Sequence, residues 1–145
     1  MPASSKQRAL AMARGIGLLP ILERARYLSA ARRAAPGNKA YLAKHPGFVA
    51  PPLWWMHDMY AHASFKQYME TGQETAAALA RRIDAHVKHE RPRVADWGCG
   101  LARVIRHLPE RYERHGFDYN AEAIAWCSKN ISGCAFDING LRPPM

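Results

Sequence analysis

The sequence predicts an α/β fold in which an α-helical N-terminal region precedes an incomplete parallel sheet, with the pattern β-α-β-α-β and the strand order 3-2-1. After residue 93, short apolar runs alternate with helix-prone segments. Right-handed crossovers make consecutive strands in such a pattern parallel. A glycine pair, Gly98 and Gly100, directly follows the first run, which is typical of a strand that leads into a ligand-binding turn.

Length and composition are those of one globular domain, with 145 residues, 48% hydrophobic and 23% charged. The apolar run at residues 16–22 is too short to span a membrane, and no secretory signal is recognisable. Three cysteines do not make a disulfide framework and favour a cytoplasmic protein. The histidine and cysteine spacings match no zinc pattern, so we expect no metal site.

Charge separates the first 50 residues from the rest of the chain. Residues 1–50 hold nine Lys and Arg but one acidic residue, whereas residues 51–100 hold six of each. Together with the aromatic content that follows and the change of pattern at Arg93, this predicts a basic helical arm at 1–50, an aromatic-rich helical cap at 51–92 and a sheet domain at 93–145. The arm is either a solvated helix face or a surface that binds nucleic acid, anionic lipid or an acidic partner.

The N-terminal half is expected to contain several short helices. Ser4 and Ser5 are candidate caps for a first helix, and residues 24–35 form a second one. Pro36-Gly37-Asn38 predicts a break, followed by a loop over residues 36–53.

An aromatic segment at residues 53–68 predicts a helical cap packed on the sheet, a wall of a ligand site, or both. Thr71-Gly72 is expected to interrupt it. A further helix at residues 74–89 should then turn one apolar face inward, made of Ala78, Leu79, Ile83 and Val87.

The sheet region predicts strands at residues 94–97, 115–118 and 133–138. A helix is expected directly after the glycine turn, at residues 101–108. Another helix, at residues 121–130, should be capped by Asn120.

The glycine turn and two acidic residues indicate an adenosine-containing ligand. A helix N-terminus after Gly98 and Gly100 would offer unpaired N–H groups to a carboxylate or phosphate. Asp118 lies 22 residues after Asp96, at the end of the second strand. This spacing suits a carboxylate that binds both hydroxyls of a ribose.

Two alternatives for the ligand are disfavoured by single positions. Arg103 stands where a dinucleotide-binding turn needs a third glycine, which argues against NAD or FAD. The Gly-Lys-Ser/Thr pattern of a phosphate-binding loop is absent. S-adenosylmethionine carries no phosphate, and Asp96 is placed to meet its ammonium group.

Residues 93–141 resemble the first half of a class I S-adenosylmethionine-dependent methyltransferase with a Rossmann-like fold. The resemblance is carried by residues 94–100 as the first motif, 116–127 as the second and 139–144 as a weaker third. It implies a methyltransferase with S-adenosylmethionine as cofactor. By resemblance, the methionine part of the cofactor lies at the glycine turn, the ribose at Asp118, and the adenine near Tyr119 and Asn139. The implied cofactor-binding residues are Asp96, Gly98, Cys99, Gly100, Asp118, Tyr119 and Asn139.

The resemblance also implies strands beyond the third, and the chain ends soon after it, at Met145. We therefore expect a truncated chain or one half of a split protein, whose first strand is an open edge for a complementing chain or a second copy. The methyl acceptor is expected to be a small molecule or a glycan. No catalytic residue is assigned, because acceptor-binding residues belong to the later strands.

Overall fold

The computed structural model describes residues 19–140 of the chain. A helical region comes first, then the strands with their connections. The elements are α1 (Leu19–Lys44), α2 (Leu53–Tyr60), α3 (Phe65–His86), β1 (Arg93–Trp97), a 3₁₀ helix (Ile105–His107), β2 (Glu113–Asp118), α4 (Ala121–Asn130) and β3 (Ala135–Ile138).

The three strands form one parallel sheet in the order β1-β2-β3, which confirms the predicted partial Rossmann-like α/β arrangement. Asp96 of β1 lies opposite Gly116 of β2, and Asp118 of β2 lies opposite Ile138 of β3. All three strands therefore end at the same edge of the sheet. Within residues 19–140, β1 is an edge strand.

The connection between β2 and β3 follows the prediction closely. Helix α4 spans Ala121–Asn130, and the side chain of Asn120 accepts hydrogen bonds from the backbone N–H groups of Glu122 and Ala123. An Asn cap satisfies donors that the first turn of a helix leaves unpaired, so this boundary could be read from local chemistry.

The predicted helix at residues 101–108 is wrong. The chain makes turns after Gly100, and only Ile105–His107 is helical, as a single 3₁₀ turn. Ala102 has a φ of 57°, which a right-handed helix does not allow. In addition, the carbonyl oxygen of Leu101, which a helix would use internally, accepts a hydrogen bond from the Tyr68 hydroxyl at 2.6 Å. The hydrogen bond from Tyr68 thus takes the place of a hydrogen bond within a helix.

The predicted break at Pro36-Gly37-Asn38, with a loop from 36 to 53, is also wrong in part. Helix α1 continues through Pro36 to Lys44. The buried Asn38 explains this, because its side chain donates to the Ala63 carbonyl at 2.8 Å and accepts from the Phe65 amide at 2.9 Å. These two hydrogen bonds hold the helix against the start of α3 and outweigh the bond that Pro36 removes.

Thr71-Gly72 does not interrupt a helix, since α3 runs from Phe65 to His86 without a break. Gly72 is instead a close-contact residue: a Cβ there would lie 2.1 Å from the carbonyl oxygen of Arg103. The predicted apolar face of this helix was also largely wrong, because Ala78, Leu79 and Val87 are exposed. Its buried residues are Phe65, Tyr68, Gly72 and Ala76.

The helical region packs directly on the sheet region through two buried clusters. One joins α2 and α3 to the glycine turn and α4, and consists of Met56, Phe65, Tyr68, Leu101 and Ala123. The other joins α3 to the 3₁₀ segment and α4, and consists of Ala76, Ala102, Ile105, Leu108, Tyr112, Cys127 and Ile131. Both clusters include residues of the turn that follows β1, so that turn lies between them.

One face of the sheet carries no helix of the described chain. Ala95 and Trp97 of β1 and Asp137 of β3 are exposed there, and His115 stacks on Phe117 with ring centroids 4.2 Å apart. Parallel sheets are usually covered on both faces. The opposite face, with Val94 and Phe136, packs against the second cluster.

The predicted first helix with its caps Ser4 and Ser5 lies outside the described residues. Helix α1 carries most of the basic residues of the predicted arm, and no carboxylate of residues 19–140 lies within ion-pairing distance of them. Binding of an anionic partner by this region stays a prediction. Among the described helices, none combines the length and apolar character needed to cross a membrane.

Two helix-interior glycines predict opposite responses to the same substitution. Gly72→Ala places a methyl group against the Arg103 carbonyl and should destabilise the fold by about 1–3 kcal/mol. Gly37→Ala meets no atom within 4 Å and should stabilise it by about 0.5–1 kcal/mol, because alanine is the better helix former. Urea denaturation of both variants measures the difference. Equal effects at the two positions would contradict the close contact at Gly72.

His107, a half-buried histidine whose Nε2 atom is fully buried, predicts a specific loss of stability in acid. Burial, together with the Arg106 guanidinium, lowers the pKa of His107 from 6.5 to about 4. The folded state therefore prefers the neutral imidazole, so this contribution is complete above pH 6.5 and is lost as pH falls from about 6.5 to about 4. We expect the free energy of unfolding of His107→Gln to fall less steeply over this range.

The measurement for this prediction is urea denaturation at several pH values between 4 and 7. His86→Gln, which removes an exposed imidazole at the end of α3, is the matched control. Parallel pH profiles of wild type and His107→Gln would show that His107 does not titrate as proposed.

Candidate functional site

The candidate site is the turn that follows β1, at the edge where the parallel strands end. Gly98 and Gly100 have φ values of 80° and 54°, and Ala102 follows with 57°. Such left-handed residues reverse the chain sharply, and glycine adopts them without strain. The turn therefore stays at the sheet edge instead of leading into a helix.

The backbone N–H groups of this turn are all used inside the protein. Gly98 and Cys99 donate to the Phe117 carbonyl at 2.7 and 2.9 Å, and Ala102 donates to the Cys99 carbonyl at 2.8 Å. Gly100 donates to Asp118 at 2.8 Å and Leu101 to the Tyr60 hydroxyl at 3.0 Å. The predicted helix N-terminus with free amides for a carboxylate or phosphate is therefore wrong.

Asp118 holds the turn to the next element. One carboxylate oxygen accepts from the Gly100 amide and the other accepts from the Asn120 amide at 2.9 Å. The residue is only 6% exposed. A carboxylate has about four acceptor positions, so two remain beyond these bonds. These two positions could accept hydrogen bonds from the hydroxyls of a ribose, and that contact stays a prediction.

Asp96 lies two residues before the turn and differs from Asp118 in its contacts. Its side chain is half-buried and makes no hydrogen bond to any group of residues 19–140. Burial raises the pKa of Asp96; the Arg103 guanidinium opposes this rise and the Asp118 carboxylate adds to it. An incompletely solvated carboxylate without a partner at a sheet edge is well placed to accept hydrogen bonds from a cationic ligand group.

The two glycines of the turn face different surroundings. A Cβ at Gly98 would meet no atom within 4 Å, so this glycine faces open space. A Cβ at Gly100 would lie 3.0 Å from the Tyr60 hydroxyl oxygen and 3.2 Å from the Met59 sulfur. A ligand can thus approach the backbone at Gly98, whereas the end of α2 covers Gly100.

Two further predicted residues differ in exposure. The side chain of Cys99 is 5% exposed, and burial raises the pKa of its thiol, so this side chain packs in the interior; its contact with the cofactor stays a prediction. Tyr119, by contrast, is 83% exposed beside the end of β2. Its contact with an adenine stays a prediction.

Asn139 directly follows β3 and presents an unsatisfied acceptor. Its backbone N–H donates to the Asp118 carbonyl at 3.1 Å, which ties it to the end of β2. Its side-chain oxygen Oδ1 is buried and has no hydrogen-bond partner among the described residues. Buried acceptors without a partner are costly, so a ligand N–H here would be stabilising.

Three residues of the site were not predicted as functional: Tyr60, Thr71 and Arg103. Arg103 donates to the Thr71 hydroxyl at 3.1 Å, and its guanidinium lies 5.4 Å from the centre of the Tyr60 ring. Burial raises the pKa of Tyr60, which keeps the phenol protonated. In the sequence, this group was indicated by the aromatic segment at residues 53–68, which was predicted as a possible wall of a ligand site and includes Tyr60.

The edge as a whole offers hydrogen-bond acceptors. Asp96, Asp118 and Asn139 follow one another across the ends of β1, β2 and β3. No group of three or more His, Cys, Asp or Glu side chains within residues 19–140 is arranged to hold a metal ion. The acceptor oxygens of Asp96, Asp118 and Asn139 suit a ligand that presents donors or positive charge.

Comparison with solved structures finds a similarity to a TehB-like SAM-dependent methyltransferase from Corynebacterium glutamicum. The sequence identity is 23% and the TM-score is 0.37. The similarity covers 52% of this chain and 45% of that one, so the chain spans less than half the length of that protein. No family model matches the sequence, and no curated protein shows significant similarity to it.

The double hydrogen bond of Asp118 predicts a structural cost when its charge is removed. Asp118→Asn keeps the size but turns an amide toward one of two backbone N–H donors, so one buried donor loses its partner. We expect a loss of about 1.5–3 kcal/mol in the free energy of unfolding, measured by urea denaturation without ligand.

The matched control for this substitution is Asp137→Asn, which removes an exposed carboxylate that pairs with His115 on the open sheet face. An exposed pair of this kind contributes about 0–1 kcal/mol. If Asp118→Asn costs no more than the control, Asp118 does not hold the turn as described.

Proposed function

We propose that this chain binds S-adenosylmethionine at the carboxyl edge of its sheet and takes part in methyl transfer to an acceptor molecule. The observation that carries the proposal is the row of acceptors at this edge, formed by Asp96, Asp118 and Asn139. The motif resemblance at residues 94–100 and 116–127 supports the same cofactor.

The cofactor presents donors in the same order as the row presents acceptors. Its ammonium group would meet Asp96, its two ribose hydroxyls would meet Asp118, and its adenine amino group would meet the Asn139 oxygen. Asp96 and the Asn139 oxygen make no hydrogen bond within residues 19–140, so each gains a partner without losing one. Gly98 gives the ligand room at the backbone, and Tyr119 offers its exposed ring to the adenine.

Charge also favours this ligand over a phosphorylated one. The edge holds two carboxylates and no free backbone amide between Gly98 and Ala102, whereas pyrophosphate sites depend on such amides. Asp96 and Asp118 attract the positive charges of S-adenosylmethionine and would repel a pyrophosphate placed against them. This supports S-adenosylmethionine over NAD or FAD on grounds separate from the position of Arg103.

When bound, the cofactor supplies a methyl group on a positively charged sulfur, which a nucleophilic acceptor can take. The protein's part in such a reaction is to hold the cofactor and align the acceptor. We propose a small molecule or a glycan as acceptor and assign no catalytic residue. The acceptor side would be completed by a complementing chain or a second copy at β1, whose outer edge is unpaired within residues 19–140.

Titration with S-adenosylhomocysteine tests the proposal. This product keeps every donor named above, and amide-detected NMR follows its binding even when the affinity is weak. We expect shifts centred on Gly98, Asp118 and Asn139, and no binding of NADH at the same concentration.

The variant for this test is Asp96→Asn, which should weaken binding about tenfold or more because a charged hydrogen bond to the ammonium is lost. Asp58→Asn, an exposed acidic residue of α2, is the matched control. Binding of NADH in preference to S-adenosylhomocysteine, or unchanged affinity in Asp96→Asn, would overturn the proposed function.

A further inference from the structure

The amino-acid part of the proposed cofactor carries a carboxylate as well as an ammonium group, and the glycine turn offers that carboxylate no donor. All five consecutive amides from Gly98 to Ala102 are hydrogen-bonded inside the protein. The source of donors expected from the sequence, a helix N-terminus, is absent. Donor side chains close to the turn are therefore the candidates that the described residues offer for this carboxylate.

Arg103 is a cation on the same turn. One of its terminal nitrogens donates to Thr71 at 3.1 Å, and the guanidinium lies 5.4 Å from the Tyr60 ring centre. Within residues 19–140, no carboxylate lies within 4.0 Å of it. A guanidinium has five N–H donors, so most of them are unused.

Tyr60 brings a second donor to the same place. Its hydroxyl oxygen accepts from the Leu101 amide at 3.0 Å, and its own proton has no acceptor among the described residues. A Cβ on Gly100 would lie 3.0 Å from this oxygen, so the hydroxyl lies directly on the turn. The phenol and the guanidinium thus lie close together beside the turn, and each has donor capacity that the described residues do not use.

Asp96, two residues before Gly98 on β1, is the third group of this arrangement. Its carboxylate is close enough to Arg103 for the guanidinium to oppose the rise in its pKa, yet the two do not form an ion pair. A carboxylate without a hydrogen bond and a guanidinium with unused donors, one before and one after the glycine turn, are complementary to an amino acid's ammonium and carboxylate.

We infer that Arg103, aided by the Tyr60 hydroxyl, binds the α-carboxylate of the ligand and with Asp96 selects a zwitterionic amino-acid group. This inference rests on the proposed function and adds the residue that determines specificity for the carboxylate. Thr71 is a positioning residue, since its hydroxyl fixes the guanidinium from the side of α3.

Decarboxylated S-adenosylmethionine tests the inference, because it differs from S-adenosylmethionine only in lacking the carboxylate. 5′-Methylthioadenosine, which lacks the whole amino-acid group, is the third probe. We expect the wild-type chain to bind S-adenosylmethionine more tightly than its decarboxylated form. Arg103→Gln should weaken the binding of S-adenosylmethionine about ten- to one-hundredfold. The affinities for decarboxylated S-adenosylmethionine and for 5′-methylthioadenosine should change less than about twofold.

Two further variants separate recognition from structure. Arg103→Lys keeps the charge but loses the paired donors, so it should retain part of the preference for S-adenosylmethionine. Thr71→Val keeps the guanidinium but removes the hydroxyl that accepts its hydrogen bond. We expect this variant to lose affinity for S-adenosylmethionine only, and by less than Arg103→Gln does. Arg81→Gln, an exposed arginine of α3, is the matched control and should leave all three affinities unchanged.

The outcomes are distinguishable. A wild-type chain that binds none of the three probes overturns the proposed function and the inference with it. A chain that binds S-adenosylmethionine and its decarboxylated form equally overturns the inference alone. Equal weakening of all three probes in Arg103→Gln and Arg103→Lys would assign Arg103 a structural role and also overturn it.

Discussion

The carboxylate of Asp118 is the interaction on which the rest of the site depends. It joins the glycine turn, through Gly100, to the start of α4, through Asn120. The carbonyl of the neighbouring Phe117 accepts from Gly98 and Cys99. The end of β2 therefore holds the turn after β1 and the cap of α4 in one hydrogen-bonded unit. Charged acceptors make stronger hydrogen bonds than neutral ones, so this unit is the firmest part of the sheet edge.

The helical region closes the same unit from the opposite side. Tyr60 and Tyr68 contact the two backbone groups of Leu101, one with an acceptor and one with a donor. Gly72 lets α3 approach the backbone of Arg103. Because these contacts use backbone atoms of the turn, the helices determine the path of the turn as much as the sheet does. This is why the helical region and the site cannot be understood separately.

Local chemistry was sufficient to predict some elements and not others. The strands, their order and the Asn120 cap follow from short-range patterns that the tertiary structure reinforces. The breaks expected at Pro36 and Gly72 do not exist, because Asn38 and the Arg103 backbone supply partners from distant parts of the chain. The helix expected after Gly100 fails for the same reason.

The candidate site shows the same division. Asp96 and Asp118 were found from their positions at strand ends and Asn139 from the motif resemblance, and the sheet brings all three to one edge. Arg103 was recognised only as an obstacle to a dinucleotide, since its neighbours Tyr60 and Thr71 are 43 and 32 residues away in sequence. Contacts of this kind have no local pattern, so the donor side of the site required the fold.

The complete internal bonding of the turn from Gly98 to Ala102 has a consequence for ligand association. A loop that orders only around its ligand loses conformational entropy at the moment of binding. Here that loss occurs during folding, because every amide of the turn is already bonded. The turn is thus preorganised: it contributes shape and rigidity, and the free energy of association comes from the side chains around it. A ligand need reorder only water and a few side chains.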